Sequence, residues 1–296
     1  MRRIILCLVI VLLFIMACNN SSQTLQTQKD STIIVMKDST SFASGYSAVN
    51  GIKMYYEIYG NGEPLVLVHG GGSTIGTTFG SIIPLLAQHY KLIAVDLQAH
   101  GHTSDRNTPV SFEQDAEDVA TLLKNLDIGK ANFFGFSNGG TTCMQVAVSH
   151  PELVNKLIIA SALFKRNGIF PGFFDMMQHA SLKDMPQPLK DAFLKINPDS
   201  SKLQVMHDKD KERMLQFKDW KDETLQSVKQ PVLIINGDKD VILPEHAVAL
   251  SKLLPNAQLL IVPATHGSYM GEICSPPENK TIEFCMGIIE DFLNKP

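Results

Sequence analysis

The segment Gly135-Phe136-Ser137-Asn138-Gly139-Gly140 sets one serine between glycines, directly after the apolar run Ala131 to Phe134 and directly before a helical pattern that includes Cys143 and Val146. That order predicts strand, sharp turn and helix, with the Ser137 hydroxyl lifted above the carboxyl end of a strand. A hydroxyl is a poor nucleophile at its ordinary pKa, so chemistry there needs a base within hydrogen-bond reach, and a neutral imidazole suits neutral pH. The chain has nine histidines. His100 and His102 form the only close pair, and no third ligand stands at a recognisable spacing, so no metal is expected. Gly70-Gly71-Gly72 leads into neither G-x-G-x-x-G nor a P-loop lysine, so no nucleotide cofactor is expected either.

Positioning such a serine takes a sheet, and the rest of the chain is patterned for one. Short apolar or β-branched runs at Leu65 to Val68, Lys91 to Val95, Ala131 to Phe134, Leu157 to Ala160, Val232 to Ile235 and Gln258 to Val262 read as buried strands. Between them Phe112 to Leu126, Thr141 to Ser149, Glu245 to Leu253 and Thr281 to Leu293 carry helical spacing. Ser47 to Val49 and Ile52 to Tyr59, joined by Asn50-Gly51, predict a hairpin on a type I′ turn. The expected architecture is α/β: a doubly wound, mostly parallel sheet over residues 45–296. An insertion from about 163 to 229 interrupts the alternation. Rich in Phe and Met and cut by Pro171, Pro186, Pro188 and Pro198, it reads as a helical cap that either packs on the main domain or lines an apolar pocket.

These residues resemble the α/β-hydrolase family, from about Gly45 to the C-terminus apart from the insertion. Val68-His69-Gly70-Gly71-Gly72 is similar to its HG loop. Asp96-Leu97-Gln98-Ala99-His100-Gly101-His102-Thr103 is similar to its D-x-R-G-H-G-x-S segment, with Gln98 and Ala99 in place of the usual Arg and Gly. Gly237 to Pro244 matches its acid turn, and Pro263-Ala264-Thr265-His266-Gly267 its histidine loop, with Thr265 where Gly is common. The resemblance implies a catalytic triad of Ser137, Asp240 and His266, with Asp238 as the fallback acid, in the chain order this fold produces. It implies an oxyanion hole built from the backbone N–H groups of Gly71 and Asn138, with Gly72 as the substitute for Gly71. His69 and His100 match positions that brace loops.

The N-terminus reads as an address. Arg2 and Arg3 precede the thirteen-residue apolar run Ile4 to Met16, too short to cross a hydrocarbon core of ~30 Å, so residues 1–17 read as a signal peptide. Ala17-Cys18 resembles a bacterial lipobox, which makes Cys18 the expected lipidation site of a membrane-anchored lipoprotein facing the periplasm or the cell surface. Residues 18–44 are polar and Ser/Thr/Gln-rich and read as a tether with an r.m.s. reach of roughly 28 Å. Loss of Arg2 and Arg3 would leave 24 bases against 30 acids, a balance that argues against nucleic acid as partner. Cys274 and Cys285, eleven apart, could close a loop in an oxidising compartment, but sequence distance does not establish the geometry a disulfide needs and the pairing stays open; Cys143 reads as inert core.

The expected function is a serine hydrolase cleaving a carboxylic ester or related acyl bond through an acyl-enzyme on Ser137, probed by a small-molecule substrate with an apolar part. The same triad admits an acyltransferase, a peptidase or a C–C hydrolase, and a pocket without turnover would make a ligand-binding lipoprotein.

Overall fold

The computed structural model describes residues 42–275 and 279–295. The signal segment, Cys7, Cys18 and the tether up to residue 41 lie outside them. Eight strands form one sheet: β1 (Phe42–Val49), β2 (Ile52–Tyr59), β3 (Glu63–Val68), β4 (Tyr90–Val95), β5 (Ala131–Phe136), β6 (Val154–Ala160), β7 (Val232–Gly237) and β8 (Ala257–Val262). Their spatial order is β1-β2-β4-β3-β5-β6-β7-β8. The hairpin β1–β2 joins β4 antiparallel, and every pairing from β4 to β8 is parallel. Asn50 and Gly51 both have positive φ, 41° and 90°, as the hairpin turn requires.

Alternation along the strands splits the core in two. Val66, Val68, Ile93, Val95 and Phe133 face one layer of helices: α3 (Phe112–Asn125), α4 (Asn138–Ser149), α8 (Asp222–Gln226) and α9 (Pro244–Leu253). Their neighbours Leu65, Leu67, Leu92, Ala94 and Phe134 face the other: α1 (Ile75–Phe79), α2 (Ile83–Leu86) and α10 (Asn279–Asn294). Strands apolar on both faces are what helices on both sides demand. The expected strands and long helices are all present, most of them extended by one to three residues. The short α1 and α2 carry too few turns to leave a periodic signal.

One boundary changes. The composition carries the tether through residue 44, but Phe42, Ala43 and Ser44 already pair with Tyr59, Ile58 and Glu57. This end of β1 is exposed and includes Ser44 and Gly45, so hydrogen bonding to β2 rather than burial holds it, and no apolar alternation announces it. The pairing of Cys274 and Cys285, left open by the sequence, is not made: both are free, Cys274 exposed in a loop and Cys285 inside the apolar layer under α10.

The insertion between β6 and β7 folds as a helical cap with α5 (Phe173–His179), α6 (Gln187–Ile196) and α7 (Ser200–Leu215) ahead of α8. Its apolar residues divide between the two roles open to them. Phe193, Leu203 and Met206 form a small core of the cap's own. Phe164 is buried against the main domain, stacked on the His246 ring at 4.0 Å. Others face a cavity.

Candidate active site

Strand β5 ends at Phe136 and α4 begins at Asn138, so Ser137 alone makes the turn. It does so with φ 54° and ψ −121°, a conformation that L residues rarely adopt. Its amide N–H donates to Ala160 O on β6 at 2.8 Å and its carbonyl accepts from Gly140 N at 2.9 Å, which keeps the strained residue in place. The flanking glycines make the turn sterically feasible. A Cβ on Gly135 would lie 2.2 Å from the Gly139 carbonyl oxygen, and one on Gly139 would lie 2.1 Å from the Val68 carbonyl oxygen. Gly139→Ala is therefore expected to destabilise the fold by about 3 kcal/mol or more, read as a lower urea midpoint or as insoluble expression.

The other candidate residues come from the carboxyl ends of neighbouring strands. Asp240 follows β7, its side chain fully buried. It accepts from His266 Nδ1 at 2.7 Å, from Ser161 Oγ at 2.5 Å and from the Ile242 N–H at 2.9 Å. Burial pushes its carboxyl up, but the facing imidazole and the three donors outweigh burial and hold it below the ordinary aspartate value. His266 follows β8 and is 28% exposed, its ring against Phe136 at 4.6 Å. A proton on Nδ1, pointing at Asp240, leaves Nε2 as an acceptor. Ser137 and His266 line the same cavity, and among the described residues no hydrogen bond joins them.

Asp238, the fallback acid, is occupied elsewhere: its Oδ1 accepts the Ala264 N–H at 2.9 Å and braces the turn between β7 and β8. Gly72, the substitute oxyanion donor, is also excluded, because its N–H is committed to Asp210 Oδ2 at 2.5 Å. The N–H groups of Gly71 and Asn138 have no protein acceptor among the described residues, and both residues line the cavity with Ser137. His69 and His100 do brace loops. His69 bridges the Gly70 carbonyl and the Leu97 N–H, and His100 bridges the Gln98 carbonyl and Asp210. Ala99, standing where the resembled motif has Gly, takes the left-handed φ of 65° itself. Among the described residues no group of His, Cys, Asp and Glu is arranged to hold a metal ion.

Four residues escaped the sequence reading. Ser161, at φ 51° just past β6, donates to Asp240 and accepts from the Tyr269 hydroxyl at 2.6 Å. Burial and the nearby Asp240 push the Tyr269 hydroxyl well above its usual range, so it stays a donor. Asp210 comes from the cap. Glu272, nearly buried, lines a second, smaller chamber beside His266, and burial pushes its carboxyl up. None of the four lies in a motif, and only the folded chain brings them to the site.

The main cavity measures ≈ 570 Å³, within the range of small-molecule sites. Ile169, Phe173, Met176, Met177, Met185 and Met214 make most of it apolar, with His179, His207 and Lys211 among its polar members. The smaller chamber, ≈ 340 Å³, shares Ser137 and His266 with it, so two arms of space meet at the candidate nucleophile. A serine and an imidazole on one cavity, a carboxylate behind that imidazole and two open N–H groups are the parts that acyl transfer to water or to an alcohol requires.

Comparison with known proteins places the chain by its fold. The alpha/beta hydrolase fold family matches residues 63–195. An uncharacterised hydrolase of Bacillus subtilis is 30% identical over 243 residues, covering 71% of this chain and 86% of that protein. A 2-hydroxy-6-oxo-6-(2'-aminophenyl)hexa-2,4-dienoic acid hydrolase of Metapseudomonas resinovorans is 30% identical over 126 residues, and there the match spans only 42% of this chain and 43% of the relative's length. Among solved structures, a 2-hydroxy-6-oxo-6-phenylhexa-2,4-dienoate hydrolase of a Rhodococcus strain superposes with a TM-score of 0.71 at 18% identity, covering 86% of this chain and 99% of the other.

Proposed function

Because this chain belongs to the alpha/beta hydrolase fold family, we propose that it is a serine hydrolase cleaving a carboxylic ester or related acyl bond through an acyl-enzyme on Ser137. The observation that carries the reading is the Asp240–His266 hydrogen bond beside the cavity that Ser137 and His266 line. Ser137 Oγ attacks the carbonyl carbon as its proton passes to His266 Nε2, and the carbonyl oxygen becomes an oxyanion received by the N–H groups of Gly71 and Asn138. Collapse breaks the bond to the leaving alcohol, which takes the proton from His266. Water, deprotonated by the same Nε2, then attacks the acyl-enzyme, and the acid leaves as Ser137 recovers its proton. Asp240 keeps the imidazole in the required tautomer and stabilises its protonated form, while Ser161, itself held by Tyr269, holds Asp240.

A series of p-nitrophenyl esters of rising chain length tests this, with and without an alcohol acceptor. Hydrolysis independent of the acceptor supports a hydrolase. An ester product formed in its presence identifies an acyltransferase, and no turnover of any ester favours a binding protein. The names of the two dienoate hydrolases support a second reading, cleavage of a hydroxy-oxo-dienoic acid, and such a compound belongs in the same assay. Because the cavity is apolar, Phe173→Ala is expected to shift the preferred acyl chain by about two carbons or more, the room left by a phenyl ring. Phe174→Ala is expected to leave the profile unchanged, since that ring packs on the Arg166 guanidinium at 3.5 Å and does not line the cavity.

Export and acylation at Cys18 are part of the proposal, supported by Arg2, Arg3, the run Ile4 to Met16 and Ala17-Cys18. Among the described residues no helix is long and apolar enough to cross a membrane. Detergent-phase partitioning that Cys18→Ala abolishes would agree with the anchor, and an unchanged distribution would remove it.

A further inference from the structure

The loop Gly70 to Gly72 has no side chains of its own, so its peptide planes have to be held from outside. The Gly70–Gly71 peptide is held from the main domain. His69 Nε2 accepts the Leu97 N–H at 3.0 Å, so the single ring proton sits on Nδ1 and is donated to the Gly70 carbonyl at 2.7 Å. Burial, helped by the neighbouring His100, pushes this imidazole down to about 4 and keeps it neutral. In a trans peptide the C=O and N–H point opposite ways, so a grip on Gly70 C=O turns the Gly71 N–H away from His69. The next peptide, Gly71–Gly72, is held from the cap: its N–H donates to Asp210 Oδ2 at 2.5 Å.

We propose that Asp210, carried on α7, is a positioning residue for the oxyanion site: by holding the Gly71–Gly72 peptide while His69 holds the Gly70–Gly71 peptide, it fixes the second side of Gly71 and with it the aim of the Gly71 N–H that receives the reacting oxygen. The proposal rests on the reading of Ser137 as nucleophile and Gly71 as donor.

A carboxylate so close to a developing negative charge would oppose catalysis if its own charge were not neutralised, and the surroundings neutralise it. His100 Nδ1 lies 2.8 Å from the Gln98 carbonyl, where it must donate, and His100 Nε2 lies 2.9 Å from Asp210 Oδ2. Both ring nitrogens therefore donate, which requires the imidazolium. The net direction of the His100 pKa agrees: burial pushes it down, but Asp210 outweighs burial and holds it above the usual histidine value. Arg213 bonds the other oxygen, Asp210 Oδ1, and reaches Asp115 Oδ2 on α3 at 2.6 Å, tying α7 to the main domain. Against the cost of burial, His100 and Arg213 hold Asp210 well below the ordinary carboxylate range. One carboxylate thus takes both cap-to-domain cations and the free amide of the glycine loop.

The test compares wild type with Asp210→Asn on a p-nitrophenyl ester and on a trifluoromethyl ketone of the same acyl chain. The serine adduct of the ketone places a negative oxygen in the oxyanion site. Losing an oxyanion donor outright costs about 10²- to 10³-fold in kcat, so misaiming one is expected to cost about 10- to 100-fold. KM for the ester stays within about twofold, and the affinity for the ketone falls by the same factor as kcat, as expected for a group that acts on the transition state. A role confined to fastening the cap would lower the melting temperature while leaving kcat and ketone affinity unchanged, and that result overturns the proposal. So does a rise in KM with kcat kept, which would place Asp210 in substrate binding instead. Asp210→Glu keeps the charge and displaces the carboxylate by one methylene, so it yields the same comparison if Asp210→Asn does not fold. A wild-type protein that binds no ketone and turns over no ester overturns the Ser137 reading itself, whereas a responsive wild type with an unaffected Asp210→Asn overturns only the role of Asp210.

Discussion

Ser137→Ala is expected to lower kcat on an activated ester by on the order of 10⁶-fold, while substrate binding and the melting temperature stay close to wild type. The size of the effect follows from the chemistry. Without Oγ no acyl-enzyme can form, and only the two N–H groups and the cavity remain to favour water attack. The structural cost is small because Ser137 owes its conformation to backbone bonds with Ala160 and Gly140 rather than to its side chain, for which no hydrogen bond is formed among the described residues. Alanine in the same left-handed backbone is strained to a similar degree. Steady-state kinetics beside a thermal melt separates the two quantities. Retention of more than about a hundredth of the activity would mean that another group does the chemistry.

Asp240→Asn is the second large effect, expected at about 10⁴-fold in kcat with little change in KM. The amide is nearly the same shape and still accepts from Ile242 N–H or Ser161 Oγ, so the turn after β7 should persist. The electrostatics change. His266 loses the anion that stabilises its protonated form, and an amide N–H facing Nδ1 favours the tautomer with the proton on Nε2, which cannot accept from Ser137. Removing Ser161 as well, by Ser161→Ala, should add little once Asp240 is neutral, because Ser161 acts through that carboxylate; a double-mutant cycle reads the coupling.

Much of this site could be read before folding because its parts are local. A serine between glycines, bounded by a strand and a helix, states its own geometry, and Asp240 and His266 each sit in a short turn at the end of a predicted strand. The fold was legible for the same reason: parallel strands buried on both faces are apolar throughout, as Leu65 to Val68 is, and a helix such as α3 repeats its apolar residues with the helical period. What stayed hidden depends on tertiary contact. Asp210 looks like one charge among many in α7, and only the docking of α7 brings it to Gly72, 138 residues away. Ser161 meets Asp240 from the end of another strand, and Tyr269 reaches it only through Ser161. Residues 42–44 of β1 carry no apolar alternation because they are held by an edge pairing. The distinction between Phe173, in the cavity, and Phe174, on Arg166, is a matter of helix rotation that composition cannot express.

The account turns on Ser137 being the group that becomes covalently attached to substrate. Treatment with a fluorophosphonate followed by intact-mass measurement and peptide mapping tests this most directly. One adduct per chain is predicted, on the peptide containing Ser137, absent in Ser137→Ala and formed more slowly in Asp240→Asn. An unmodified wild-type protein, or an adduct that survives Ser137→Ala, would contradict it.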